Sequence, residues 1–262
     1  MTHTASLLHD DVIDSSSLRR GFSSAPVVFG NKLAVHSGSF LLGRATIVSS
    51  RLGDEEVLDL IGSMMSDLVE GEFLQLKNKK IKTVGAESGQ KCGPGADEWR
   101  TYLQKTYLKT GSLMAKSAMA AVVLGGCGEG EIWRDIAYAY GRNLGIAFQL
   151  ADDILDYESI SMTLGKPSGA DLQLGLTTAP ALYAWEEHPE MGKLIQRNFK
   201  NPGDVELARD YVMGSSALQR ARALAETYAD KAKEVLTQLP DSEAKTAMEA
   251  LADIVVGREK KK

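Results

Sequence analysis

GIAFQLADDILD, residues 145–156, is the stretch whose reading decides the fold. Apolar residues recur through it and just ahead of it at spacings of three and four, at Leu144, Phe148, Ala151 and Leu155. That is the period of an α-helix, not of a strand. On such a helix, at about 100° per residue, Gln149, Asp152, Asp153 and Asp156 share one arc. Three carboxylates side by side repel one another and destabilise the helix unless cations hold them. The same i, i+1, i+4 spacing occurs once more, in LLHDDVID at residues 7–14, where Asp10, Asp11 and Asp14 lie together and His3 falls in the same arc. Oxygen ligands in this array suit Mg²⁺, which keeps several waters and binds through a few carboxylates together with substrate phosphates. Two such faces, opposed, would clamp a diphosphate.

Outward from the two clusters, the same periodicity predicts helices over 2–16, 31–52, 54–77, 97–124, 129–158, 174–187, 190–200, 203–214, 215–238 and 241–258, with strand patterns scarce. The expected fold is all-α, a single domain over 1–262. Residues 77–98, KNKKIKTVGAESGQKCGPGADE, have no apolar face and read as a flexible surface loop between two helices. The 262 residues are 44% hydrophobic and 25% charged, the composition of an ordinary globular protein. A formal charge of −5 gives no broad basic surface, which argues against a nucleic-acid partner. Cys92 and Cys127 have no metal-ligand spacing and read as free thiols. No stretch reaches the roughly 18 apolar residues of a membrane span.

Cations accompany the acids. Arg19 and Arg20 follow the first cluster in LRRG, Lys109 and Thr110 stand in YLKTG, and Lys166 stands in GKPSGADLQLG. Guanidinium forks grip phosphate oxygens in pairs, and lysine adds point charge to the same anion. The whole series resembles that of the trans-polyprenyl diphosphate synthases. HTASLLHDDVID, NKLAV, VEGEFLQLKN, YLQKTYLKT, GIAFQLADDILD and GKPSGADLQLGLTTAPALYAWE are most similar to the mitochondrial long-chain branch that makes the ubiquinone tail.

The resemblance implies a bundle of long helices around a central cavity, usually dimeric. It implies that Asp10, Asp14, Asp152 and Asp156 bind Mg²⁺, with Asp11 and Asp153 in the same catalytic clusters. Arg19, Lys109, Thr110, Gln149 and Lys166 would hold an allylic diphosphate, while Arg20 and His3 would meet isopentenyl diphosphate. Ala5, five residues before the first aspartate, is the position where a small residue lets the growing chain pass. The implied setting is mitochondrial, with a homo- or hetero-oligomeric partner related to this chain. The family's upstream helices, with a GGKRxRP element, precede the first cluster and have no counterpart in these 262 residues. The expectation from that difference is a fold lacking its first helices, poorly active or inactive alone, with a truncated or non-catalytic subunit as the alternative role. Ser39 stands where the family usually has aspartate, His36 where it has a small or apolar residue, and Gly111 where it has alanine. Two rival readings fail on the residues. Terpene cyclases carry an Asn/Ser/Glu triad in place of DDILD, and no His has the glutamate three residues earlier that a di-iron bundle needs.

Overall fold

The computed structural model describes residues 1–84, with side chains through 76, and residues 93–158 and 169–258. Its helices are α1 (Thr2–Ile13), α2 (Ala25–Phe29), α3 (Asn31–Ser50), α4 (Glu55–Val84), α5 (Ala96–Thr106), α6 (Ser112–Leu124), α7 (Ile132–Glu158), α8 (Ala170–Gln173), α9 (Ala179–Glu187), α10 (Met191–Gln196), α11 (Asp204–Met213), α12 (Ala217–Leu236) and α13 (Glu243–Val256). A π-helical turn, Tyr107–Gly111, joins α5 to α6. The all-α expectation holds, and among the described residues no helix is long and apolar enough to cross a membrane.

Boundaries reflect local chemistry. Asp54 accepts the Val57 N–H at 2.9 Å and starts α4, and Glu98 reaches back to the Gly95 N–H at 2.8 Å to start α5. The helix expected from 174 begins at Ala179, because Pro180 holds the first turn while Thr178 ahead of it stays extended. α4 runs to Val84, so the first eight residues of the expected 77–98 loop are helical instead. Lysine is a good helix former, and a helix already nucleated propagates through a polar run. Residues 85–92, Cys92 included, lie outside the described residues. Between α1 and α2 stands a hairpin the periodicity did not foretell, pairing Leu18 with Ser23 and Arg19 with Phe22. Arg20 and Gly21 form its tip at φ 52° and 83°, the positive pair that a two-residue turn demands.

α7 is the axis. Fifteen of its 27 residues are buried, between α6 on one side and α12 on the other. Against α12 it meets an alanine stripe, Ala217, Ala221, Ala225, Ala229 and Ala232, all enclosed. Alanine buries little apolar area, so the stripe serves mainly to let two backbones approach. The area comes from Leu150, Tyr157, Leu172, Leu182 and Leu236, and burying one leucine completely contributes roughly 1.5–3 kcal/mol. Against α6 the device is glycine. A Cβ on Gly141 would stand 2.5 Å from the Met114 carbonyl oxygen and 2.8 Å from the Ala115 Cα. Backbone cannot yield as a side-chain end can, so Gly141→Ala is expected to destabilise the chain by about 1–3 kcal/mol. Gly62→Ala is the control: it lies exposed in α4 with nothing within 4 Å of its added Cβ, and is expected to stabilise by about 0.5–1 kcal/mol. Urea unfolding midpoints read both, and equal shifts would refute the packing argument.

Candidate active site

The site is organised by the π turn, where a helix gains a residue and re-aims the side chains beyond it. It fits because both neighbours lack side chains at the contact. A Cβ on Gly71 of α4 would come within 2.7 Å of the Lys109 Cγ, and one on Gly145 of α7 within 2.7 Å of the Gly111 Cα. At Gly111 itself an alanine Cβ would stand 3.3 Å from the Tyr107 ring, tighter than ordinary contact. The two consecutive side chains of the turn then address different helices. Lys109 forms an ion pair with Glu72 and donates to Gln75 Oε1 at 3.3 Å, both on α4. Thr110 Oγ1 donates to Gln149 Oε1 at 2.8 Å on α7.

Around Lys109 stands the first cluster. Burial, more than any charge, pushes the Asp10 carboxyl up to about 6; Lys109 pulls it down, while Glu72 and Asp14 push it up. Glu72 Oε2 is buried and has no hydrogen-bond partner among the described residues. Carboxylates outnumber cations here, and that donor set is one a hard dication satisfies. Among the described residues, no three acidic, histidine or cysteine side chains are already gathered closely enough to hold a metal ion. A site of this kind fits Mg²⁺ that arrives with phosphate oxygens and its own waters, rather than a closed protein cage.

Within each cluster the middle aspartate differs from the other two in burial. Asp11 is 3% exposed and Asp153 is 2% exposed. Arg19 reaches Asp11 Oδ1 with Nε at 3.0 Å and Nη2 at 2.5 Å. Asp153 accepts the Tyr102 hydroxyl at 2.7 Å and the Gln149 amide at 2.8 Å, and burial raises its carboxyl to about 6. The reason is helical geometry: i and i+4 lie about 40° apart, while i+1 is about 100° from i and so meets a different neighbour, the hairpin for Asp11 and α5 for Asp153. Asp10, Asp14 and Asp156 are half-buried and Asp152 is exposed.

The other expected residues are scattered more widely. His3 is exposed, its pKa lowered by partial burial and then by Arg20, the N-terminal ammonium and Arg19, so these cations share one region. Arg20 stands exposed at the hairpin tip. Ala5 is fully enclosed in α1, which packs chiefly on α3. Lys166 lies outside the described residues. Glu72, Gln75, Tyr102, Lys105 and Asp171 belong to the site and were not singled out from the sequence. Lys105 is pulled down by burial in the fields of Asp153, Asp171, Lys109 and Glu72. Its signal was present: Tyr102, Lys105 and Lys109 recur at three and four, one turn ahead of Thr110. Glu72 and Gln75 lie three apart in VEGEFLQLKN.

Residues 1–212 match the family described as polyprenyl synthetase. The chain is 51% identical over 261 residues to a probable mitochondrial hexaprenyl pyrophosphate synthase of Neurospora crassa, covering 99% of this chain and 56% of that protein. It is 43% identical over 260 residues to the human all trans-polyprenyl-diphosphate synthase PDSS1, covering 99% of this chain and 59% of that one. The chain thus spans a little over half the length of these relatives. A crystal structure of polyprenyl synthase from Caulobacter crescentus CB15, complexed with calcium and isoprenyl diphosphate, superposes with a TM-score of 0.83 at 35% identity, over 98% of this chain and 75% of that chain.

The raised Asp10 pKa has a signed consequence. An acid whose folded pKa of about 6 exceeds its ordinary 3.8 contributes stability that is present below pH 3.8 and lost as pH rises through about 6. Metal-free Asp10→Asn is therefore expected to be more stable than the parent at pH 7.5, by about 1–2 kcal/mol after solvent screening, with the gap closed by pH 4. Denaturant unfolding in a chelator at the two pH values checks it. A gap of the same size at both would refute the burial argument.

Proposed function

Since the chain belongs to the polyprenyl synthetase family, we propose that it carries the catalytic helical bundle of a long-chain trans-polyprenyl diphosphate synthase, one domain over 1–262. The observation that carries this reading is the π turn, whose Lys109 pairs with Glu72 in the field of Asp10 while Thr110 joins Gln149, which donates to Asp153 of the second cluster. The reaction is extension of an allylic diphosphate by isopentenyl diphosphate units; the mitochondrion is the setting drawn from the relatives' names, and ubiquinone biosynthesis the one the sequence resemblance implies.

In this reading Asp10 on α1, Asp14 at its C-terminal cap, and Asp152 and Asp156 on α7 would hold Mg²⁺, which when bound would supply Lewis-acid stabilisation of the departing diphosphate. Lys109, Thr110, Gln149 and Arg19, joined by Lys166 on the strength of the resemblance, orient the allylic diphosphate. Arg20 and His3 meet the diphosphate of isopentenyl diphosphate. The allylic C–O bond breaks as the alkene of isopentenyl diphosphate forms the new C–C bond, and a proton leaves the resulting cation for the released pyrophosphate. No nucleophilic side chain is needed, because catalysis consists of placing charge where the leaving group develops it. The exposed Phe29, Leu33, Phe40, Val69 and Phe73 on α2, α3 and α4 support association with a related chain as homo- or hetero-oligomer.

The test is condensation in vitro on the chain with its native partners. Asp10→Ala and Asp152→Ala are each expected to lower kcat/KM by about a hundredfold or more, since both remove stabilisation that is greatest in the transition state. Near-parental turnover in either would refute the two-cluster mechanism. Ala5→Phe is expected to shorten the product, read by chromatography of the released prenols. Its ring enters a fully enclosed position, so any chain growing past α1 must displace packed atoms. Unchanged product length would remove Ala5 from the path of the chain.

A further inference from the structure

Asp156, the last residue of the second cluster, is engaged from behind. Three successive amides of the segment leading into α8 turn onto this one residue. Gly169 N–H donates to the Asp156 carbonyl oxygen at 3.1 Å, Ala170 N–H to Oδ1 at 3.2 Å, and Asp171 N–H to Oδ2 at 3.2 Å. Both carboxylate oxygens and the main-chain carbonyl thus converge on one short stretch of backbone. Gly169 makes the wrap possible with φ 85°, a conformation that L side chains rarely adopt. Asp152, one helical turn earlier, stands exposed.

What the wrap delivers is Asp171. Its carboxyl is raised by burial and then by the fields of Asp156 and Asp153, while Lys105 lowers it. Lys105 in turn lies in the fields of Asp153, Asp171, Lys109 and Glu72.

We propose that Asp156 is a positioning residue, a latch that gathers the amides of residues 169–171 and so fixes α8, with Asp171 on it, against the end of α7 that carries the second cluster. The latch itself is a property of the fold; its effect on diphosphate binding rests on the function proposed above. The role is additional to membership of the acidic cluster, and it makes the placement of α8 depend on the charge of that cluster.

The first arm of the test is residue-resolved amide hydrogen exchange on the metal-free, substrate-free chain. Losing a carboxylate acceptor in Asp156→Ala is expected to accelerate exchange at Ala170 and Asp171 by about tenfold to a hundredfold, with Asp156→Asn intermediate. Asp152→Ala should leave those amides at the parental rate. Equal rates in Asp156→Ala and the parent overturn the latch. The second arm uses Gly169→Ala, which strains the wrap through its positive φ and leaves the carboxylate intact. An added Cβ there meets nothing closer than the Leu172 Cδ1 at 3.8 Å. Calorimetry with geranyl diphosphate and Mg²⁺ is expected to give a Kd weakened by roughly fivefold or more, with the Mg²⁺ dependence of binding unchanged. Faster exchange without a weakened Kd would make the wrap purely structural and overturn the positioning role. Absence of any geranyl diphosphate binding by the parent would instead sink the functional reading, while the exchange arm still decides the latch.

Discussion

The structure depends on one close approach. Gly145 of α7 lies against Gly111 of the π turn so tightly that a Cβ on the former would overlap the Cα of the latter at 2.7 Å. One turn earlier, Gly141 brings α7 against the Met114 carbonyl in the same way. Without these contacts α7 could not lie near enough to the π turn for Thr110 to reach Gln149. The polar link from Gln149 to Asp153 and from Asp153 to Tyr102 results from that nearness. Gly71 completes the clamp from α4 and sets Lys109 against Glu72. Packing between backbones, more than any single hydrogen bond, places the charged groups.

Those charged groups are held in an arrangement that opposes folding on its own. Asp10 and Asp153 each carry pKa values near 6, and in both cases burial is the leading cause. Buried carboxylates of this kind cost stability when ionised, and pairing offsets the cost only where geometry is good. The middle aspartate of each cluster shows that offset: Asp11 has the Arg19 fork, and Asp153 has Tyr102 and Gln149. Anchoring the middle residue fixes the rotation of the helix, and with it the direction in which the outer pair points. A cluster of three thus divides into one buried residue that sets the register and two that are less buried.

The fold was largely legible because helices longer than a dozen residues repeat their apolar face several times. α3, α4, α7, α12 and α13 each do so, and each lies where periodicity places it to within a few residues, apart from the C-terminal extension of α4. The short elements escaped for the complementary reason. α2, α8 and the 18–23 hairpin are too brief to complete a repeat, and the hairpin rests on turn chemistry at Arg20 and Gly21. The π turn was hidden because one inserted residue leaves the local pattern nearly unchanged. In the site, the paired clusters were legible as charge at a fixed spacing. Asp171 was not, because it is an isolated charge whose meaning comes from residues on another helix, while Glu72 and Lys105 showed only a helical spacing to Gln75 and to Tyr102 and Lys109.

Arg20 shows how strain and sequence combine. A two-residue hairpin turn of type I′ needs positive φ at both positions, and glycine, asparagine or aspartate supplies it at least cost. Gly21 obeys that preference; Arg20, at φ 52°, does not. A left-handed residue with a long side chain costs roughly 1–2 kcal/mol, and asparagine in its place would relieve part of that cost. The surrounding ladder is only two residues long on each side, so it offers little to offset the strain. What the arginine supplies instead is a guanidinium at the exposed tip, in the region it shares with His3 and Arg19. The strain at Arg20 is consistent with the role proposed for it above, contact with the diphosphate of isopentenyl diphosphate.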